Sequence, residues 1–294
     1  MIRPRPLGRR AALALAGAAA LLTLTACSGG AAPAGGASAG ASGSAAAASG
    51  PAALQTMTPG KLTVATGQPA YSPWVEDDEP ESGKGFESAV TYAVAKQLGY
   101  SADDVVWTRS TFDSAVTPGA KPWDLNIQQF SVTPAREKAV DFSSPYYTTT
   151  QAVVTTKGSK AAGVTTLAGL KALRVGVATA TTSLTVATDQ LGKQPQVYNS
   201  VDDAVQALKT GQVDALVTDL PGAFYIAGAQ LDDGVVTAQF SSTDGGDEFA
   251  FVLPKGSALT SPVSKAVDAI TASGELKTIT DKWLSSEVDV PVLK

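Results

Sequence analysis

Downstream of Gly60 the apolar positions change period repeatedly, from continuous short runs to spacings of three and four in longer ones. Short β-branched runs predict strands at Lys61–Thr66 (KLTVAT), in DVVWTR, in DLNIQQF and at Gln151–Thr156 (QAVVTT). Others follow at Leu173–Ala178 (LRVGVA), in VDALVTD and late in the chain in FAFVLP. The helical period appears in KGFESAVTYAVAKQLG, where Phe86, Val90, Ala93, Val94 and Leu98 share one face and Gly99 is the stop. It returns in SVDDAVQALKTGQ. There Ser200 caps, Asp202 and Asp203 complement the helix dipole, and Val201, Ala204, Val205 and Leu208 face a core. Val263–Leu284 carries the closing helices. This alternation predicts an α/β fold, and about 235 residues suffice for two modest lobes.

One segment breaks the local rules. In SVTPAREKAVDFSSPYY (Ser131–Tyr147), Thr133 reads as an N-cap and Pro134 as the first helical residue. Arg136 then falls in the first turn, where exposed N–H groups already make the field positive and a capping box would place Glu. The cost is a few tenths of a kcal/mol. It makes sense if cation and helix terminus together await an anion.

The N-terminus is of another kind. Arg3, Arg5, Arg9 and Arg10 precede a short apolar run, and Leu24-Thr25-Ala26-Cys27 ends it. Residues 1–26 therefore read as a secretory signal. A small-residue cleavage site followed directly by Cys resembles the bacterial lipobox, in which Cys27 is lipidated (palmitoylated) and becomes the mature N-terminus. An ordinary signal with an incidental Cys is the alternative. The apolar run is shorter than the ~20 residues a membrane span needs, and Arg9-Arg10 fits a twin-arginine signal poorly. Residues 27–58 are nearly all Ala, Gly, Ser and Pro and read as a disordered tether with a reach of roughly 30 Å. Gly36-Ala37-Ser38-Ala39-Gly40 matches the hydrolase elbow by chance, because neither strand nor helix flanks it.

Composition removes whole classes of function. Cys27 is the only Cys and there is no His. A disulfide, a Cys nucleophile, a Cys/His zinc site and a Ser-His-Asp triad are all excluded from the mature domain. No metal or cofactor is expected. Four of the 22 basic residues lie in the signal, which leaves 18 against 27 acidic ones. A net charge of about −9 argues against nucleic acid and against a polybasic membrane patch.

In open α/β sheets ligands sit at the carboxyl ends of strands. Those ends carry Gln68 and Tyr71 after LTVAT; Gln128, Gln129, Ser131, Thr133 and Arg136 after DLNI; Thr179, Thr181 and Thr182 after VGVA; and Asp219 after ALVT. One cation, one anion and a set of neutral hydrogen-bonders complement a zwitterion. Singly, each has a plainer reading: a solvated Arg, an N-cap Asp, exposed amides, core aromatics at Tyr71 and Phe112.

In order along the chain, these segments resemble the polar amino-acid family of ABC-transporter substrate-binding proteins, over Lys61 to Leu284. The likeness rests on LTVAT…YSPW, GFESAVTYAVAKQLG, SVTPAREKAVDFSSPYY, LRVGVATATT, AVQALKTGQVDALVTD and AVDAITASGELKTITDKWL. It implies a two-lobed periplasmic-binding-protein-like fold of type II, with lobe 1 at 59–150, lobe 2 at 151–244 and a return to lobe 1 at 245–294. The crossovers would fall near Thr149–Gln151 and around Asp244–Glu248. It further implies that Arg136 grips a ligand α-carboxylate, with Thr181 and Thr182 beside it. Asp219 and Ser131 would take the α-ammonium, and Tyr71 and Phe112 would enclose the side chain. The implied protein is no enzyme but a lipid-anchored monomer outside the cell membrane, loading an ABC permease. Two features depart from the family pattern. Ala180 stands where a Gly is common, and Gln68 where binders of basic residues tend to carry an acid. Gln68, Gln128 and Gln129 therefore suggest a polar, uncharged ligand side chain. The rivals are a ligand sensor acting through a partner receptor and a dehydratase on the same fold.

Overall fold

A computed structural model describes residues 51, 54–241, 246–284 and 290–294. The signal, Cys27 and nearly all of the tether lie outside the described residues, as do 244 and 245 of the second crossover. The first half of the described chain runs β1 (Leu62–Thr66), α1 (Phe86–Gln97), β2 (Val105–Arg109), α2 (Phe112–Val116), β3 (Leu125–Asn126) and β4 (Val140–Phe142). It crosses over through β5 (Tyr147–Thr149) into β6 (Gln151–Thr156), α3 (Leu167–Lys171), β7 (Val175–Ala178), α4 (Thr182–Leu191) and β8 (Gln196–Tyr198). α5 (Val201–Lys209), β9 (Ala215–Asp219), α6 (Leu220–Tyr225) and β10 (Gly234–Gln239) follow. The chain returns through β11 (Asp247–Phe249) to β12 (Val252–Pro254), α7 (Thr260–Ala272) and α8 (Glu275–Trp283).

Two five-stranded sheets result, ordered β2-β1-β3-β12-β4 in lobe 1 and β10-β6-β9-β7-β8 in lobe 2. β5 and β11 pair antiparallel, Thr149 opposite Asp247, so the two crossings lie side by side as a ribbon. That ribbon is anchored in lobe 1. The Trp74 ring meets Phe86, Tyr147 of β5 and Phe249 of β11 edge-on, each at 5.9 Å.

In lobe 1, α1, α7 and α8 press Phe86, Val90, Val94, Val263 and Ile270 onto Leu62, Val64, Leu125 and Leu253. Each such side chain, fully buried, contributes about 1.5–3 kcal/mol. Trp123, Phe130 and Val252 fill the opposite face. Lobe 2 is likewise covered on both faces, by α5 and α6 (Leu208, Ala223) and by α3 and α4 (Leu170, Leu191). Burial on both faces explains why its strands read as continuous apolar runs.

Four expectations change. The helix starting at Thr133 is instead a turn with a three-residue 3₁₀ segment, Arg136–Lys138. Thr133 Oγ1 still accepts from the Arg136 N–H at 3.2 Å, but Val140 re-enters a strand at once and no helix dipole builds up. DLNIQQF shrinks to the two-residue β3, because Gln129 turns into the left-handed region at φ 51°. Val201 is 37% exposed rather than core. Finally, the return to lobe 1 does not extend to the C-terminus. The Gln239 N–H donates to the Pro291 carbonyl at 2.8 Å and the Leu293 N–H to the Gln239 carbonyl at 2.8 Å. The last residues thus satisfy the otherwise open edge of β10, and Leu293 joins the lobe 2 core.

Candidate functional site

Of the candidate residues at the strand ends and Phe112, all but Thr133 line one cavity of about 720 Å³ between the lobes. Lobe 1 supplies Gln68, Tyr71, Phe112, Gln129, Ser131 and Arg136, and lobe 2 supplies Thr181, Thr182 and Asp219. They come from the carboxyl ends of β1, β3, β7 and β9 and from α2, the geometry that parallel strands impose.

Arg136 bridges the cleft. Its Nη1 donates to the Ser131 carbonyl at 2.7 Å and its Nη2 to the Ala180 carbonyl of lobe 2 at 2.8 Å. The guanidinium lies 5.2 Å from the Phe112 ring centroid, and Phe112 stacks on Phe130 at 4.7 Å. Burial lowers the Arg136 pKa, opposed by the nearby Asp219 and Asp247 carboxylates. The group stays charged. The puzzle of a cation in a positive helix turn therefore dissolves: Arg136 sits among carbonyl oxygens.

Thr181 caps α4, accepting from the Leu184 N–H at 3.1 Å. The residue before it, Ala180, has φ 59°. The left-handed turn that favours Gly is thus kept here with an Ala, at a cost of about 1 kcal/mol. Thr182 Oγ1 donates to Asp247 Oδ2 at 2.6 Å. Its proton is therefore spent, and Ser131 Oγ, 3.2 Å away across the cleft, is the donor in that pair.

Asp219 is half-buried at the end of β9 and begins α6 without capping it by its side chain. Its Oδ1 accepts instead from Gln151 Nε2 at 2.7 Å, and the same nitrogen donates to Asp247 Oδ2 at 2.7 Å. Ser183 Oγ donates to Gln151 Oε1, which fixes the amide's orientation. Burial pushes the Asp219 carboxyl up to about 7; Asp247 adds to the rise, while Gln151 and Arg136 oppose it.

These positions fall within the segment 62–286, which matches the model of bacterial extracellular solute-binding proteins, family 3. The chain belongs to that family. The arginine-binding extracellular protein ArtP of Bacillus subtilis is 30% identical over 234 residues, covering 78% of this chain and 88% of ArtP. The arginine-, lysine-, histidine-binding protein ArtJ of Geobacillus stearothermophilus superposes with a TM-score of 0.62 at 26% identity, over 78% of this chain and 97% of ArtJ. The ancestral amino acid-binding protein AncCDT-1, a precursor of cyclohexadienyl dehydratase, gives 0.61 at 29% identity, over 76% of this chain and 95% of its own. The fold is the two-lobed binding-protein architecture that the resemblance implied.

In this family 3 protein several site residues were not legible as such. Glu87, in the first turn of α1, was not among the candidates, yet it is fully buried. Its Oε1 accepts from the Gln129 N–H at 2.7 Å and from Tyr146 Oη at 2.5 Å, and its Oε2 accepts from Gln129 Nε2. Glu87 thereby holds Gln129 in its left-handed turn and, through it, the loop carrying Ser131. Burial pushes the Glu87 carboxyl up to about 7 against those three hydrogen bonds. Its signal was period: Glu87, Thr91 and Val94 share a buried helix face. Gln151 and Asp247 gave none, since their partners lie 68 and 65 residues away.

Proposed function

We propose that the protein is the extracytoplasmic receptor of an ABC importer, capturing a free amino acid by closing its lobes on it and delivering it to a membrane permease. The observation that carries this reading is a cation, Arg136, and a half-buried acid, Asp219, brought from opposite lobes into a single cavity. Arg136 and the first-turn N–H groups of α4 other than Leu184's take the α-carboxylate. Asp219 takes the α-ammonium in place of the Gln151 amide, with Ser131 alongside. Tyr71 and Phe112 wall the side chain, and Gln68 and Gln129 lend the wall polarity. The named relatives support amino-acid capture, two of them with arginine as ligand. Lipidation of Cys27 and a flexible tether complete the reading by holding the receptor at the outer face of the membrane as a monomer. Among the described residues no helix is long and apolar enough to cross a membrane. We read binding rather than catalysis: the lobes hold both ends of the ligand, and no step changes it.

A thermal-shift screen against the twenty amino acids tests this directly. A ligand at 100 times its Kd adds about 2.7 kcal/mol of stability. At least one amino acid is expected to raise the melting midpoint by several degrees, and silence from all twenty would overturn the reading.

The Asp219 pKa adds a pH signature. The ammonium needs the carboxylate, so protonation of Asp219 competes with binding. With the ligand-free group near 7, affinity holds at pH 7.5 and falls by roughly 20-fold at pH 5.5, as one proton is displaced per ligand bound. Calorimetry at the two pH values checks it. A flat profile would mean that Asp219 does not meet the ammonium.

A further inference from the structure

The α-carboxylate and α-ammonium sites occupy one end of the cavity. Its other end reaches the first turn of α5, where Asp202, Tyr225 and Gln230 line it opposite Tyr71. Two acids begin α5, and either would complement its dipole. Asp203 is exposed, whereas Asp202 is turned to the cavity. The partners of Asp202 are neutral. Tyr71 Oη donates to its Oδ2 at 2.9 Å across the cleft, and Gln230 Nε2 to its Oδ1 at 3.4 Å. No cation pairs with Asp202 among the described residues. Apart from Arg136, the cavity-lining cation is Arg109, and it is committed elsewhere. Its Nη1 pairs with Asp78 and with the Gly67 carbonyl at 2.6 Å, and its Nη2 with the Asp78 carbonyl at 2.7 Å.

A second observation points the same way. Two glutamines lining this cavity, Gln128 and Gln230, each leave a buried amide oxygen without a partner among the described residues. Their orientations are fixed. The Gln128 nitrogen donates to the Ser110 carbonyl at 3.1 Å and the Gln230 nitrogen to Asp202, so both free atoms are acceptors. A buried acceptor without a donor is costly, and a ligand that supplies the donor removes the cost. Around Asp202 the cavity is thus negatively charged with an unmatched acceptor at Gln230, and Gln128 adds a second unmatched acceptor to the lining. The spacing also suits an extended side chain. Asp219 ends β9 and Asp202 follows β8, with only β7 between them in the sheet. Two strand spacings separate those ends by about 10 Å, the scale of a lysine or arginine side chain running from its α-carbon.

We propose that Asp202 is the counter-ion of a cationic ligand side chain, a guanidinium or ammonium, so that the cleft selects a dibasic amino acid. The Tyr71 and Tyr225 rings, 5.5 Å apart, flank that cation with aromatic surface. An uncharged side chain would leave the carboxylate unneutralised as the cleft closes. Asp202 takes the part of the acid that Gln68 does not supply, but from lobe 2, so the cation draws the lobes together. This inference rests on the amino-acid reading above and corrects the expectation of an uncharged side chain.

Calorimetric titration of the purified protein with L-arginine, L-lysine and L-citrulline tests it. Citrulline has nearly the shape of arginine without its charge. Arginine or lysine is expected to bind at least about tenfold tighter than citrulline. Asp202→Asn is expected to remove that preference and leave citrulline within about threefold. Equal affinity of the wild type for arginine and citrulline would overturn the proposal, as would equal losses for all three ligands in Asp202→Asn. In either case the amino-acid reading survives. If none of the twenty amino acids shifts the melting midpoint, that reading falls and takes this one with it.

Discussion

Arg136→Ala is expected to weaken amino-acid binding by at least roughly 30-fold while moving the melting midpoint by only a few degrees. On the proposed reading the guanidinium is the cation facing the α-carboxylate in the closed cleft, and losing one partner of a buried charged pair costs about 2–5 kcal/mol. The fold should tolerate the change. Arg136 sits on a short turn, and its bonds to Ser131 and Ala180 tie lobe to lobe rather than core to core. Arg136→Lys sharpens the test. Lysine keeps the charge but lacks the planar fork that spans two carbonyls and a carboxylate, so it should recover only part of the loss. Titration of both variants alongside circular dichroism checks the expectation. Affinity within a few-fold of wild type in Arg136→Ala would remove Arg136 from the site.

Asp219→Asn is the second large effect, and its value lies in the comparison it allows. Replacing the carboxylate by an amide removes the charge that meets the ammonium. Affinity for an amino acid should fall by about 2–4 kcal/mol, roughly 30- to 1000-fold. The des-amino analogue, with carboxylate and side chain intact, should change by about threefold or less. The variant should also lose the fall in affinity between pH 7.5 and 5.5, because the titrating group is gone. Gln151 and Asp247 surround this position, and the substituted amide can still pair with either. Equal losses for the amino acid and its analogue would mean that Asp219 shapes the pocket without touching the ammonium.

How much of this was legible beforehand follows from the range of each interaction. Strands, the α1 and α5 faces and their caps are set by neighbours within a turn or two, and Ser200 and Thr181 cap as their positions imply. The strand ends could be read as a site because β1, β3, β7 and β9 end on one cleft. What was misread is what depends on contacts across the lobes. Arg136 looked like a misplaced helix residue, since its turn is too short to build a dipole and its carbonyl partners include one 44 residues away. Asp202 looked like a dipole acid, because its partner Tyr71 lies 131 residues away in the other lobe. Glu87 drew no reading: helix period places it on the buried face of α1, but its partners Tyr146 and Gln129 lie 59 and 42 residues away. The C-terminal residues looked like a continuation of lobe 1, since only the sheet reveals that the edge of β10 lacks a partner.

The central claim is that a free amino acid is held between Arg136 and Asp219. The measurement that tests it most directly is a crystal structure of the protein with the amino acid giving the largest thermal shift. The account predicts the ligand's α-carboxylate on the Arg136 guanidinium at the N-terminus of α4 and its α-ammonium within hydrogen-bond distance of an Asp219 oxygen. A ligand whose carboxylate lies away from Arg136, or whose ammonium faces solvent or another acid, would contradict it.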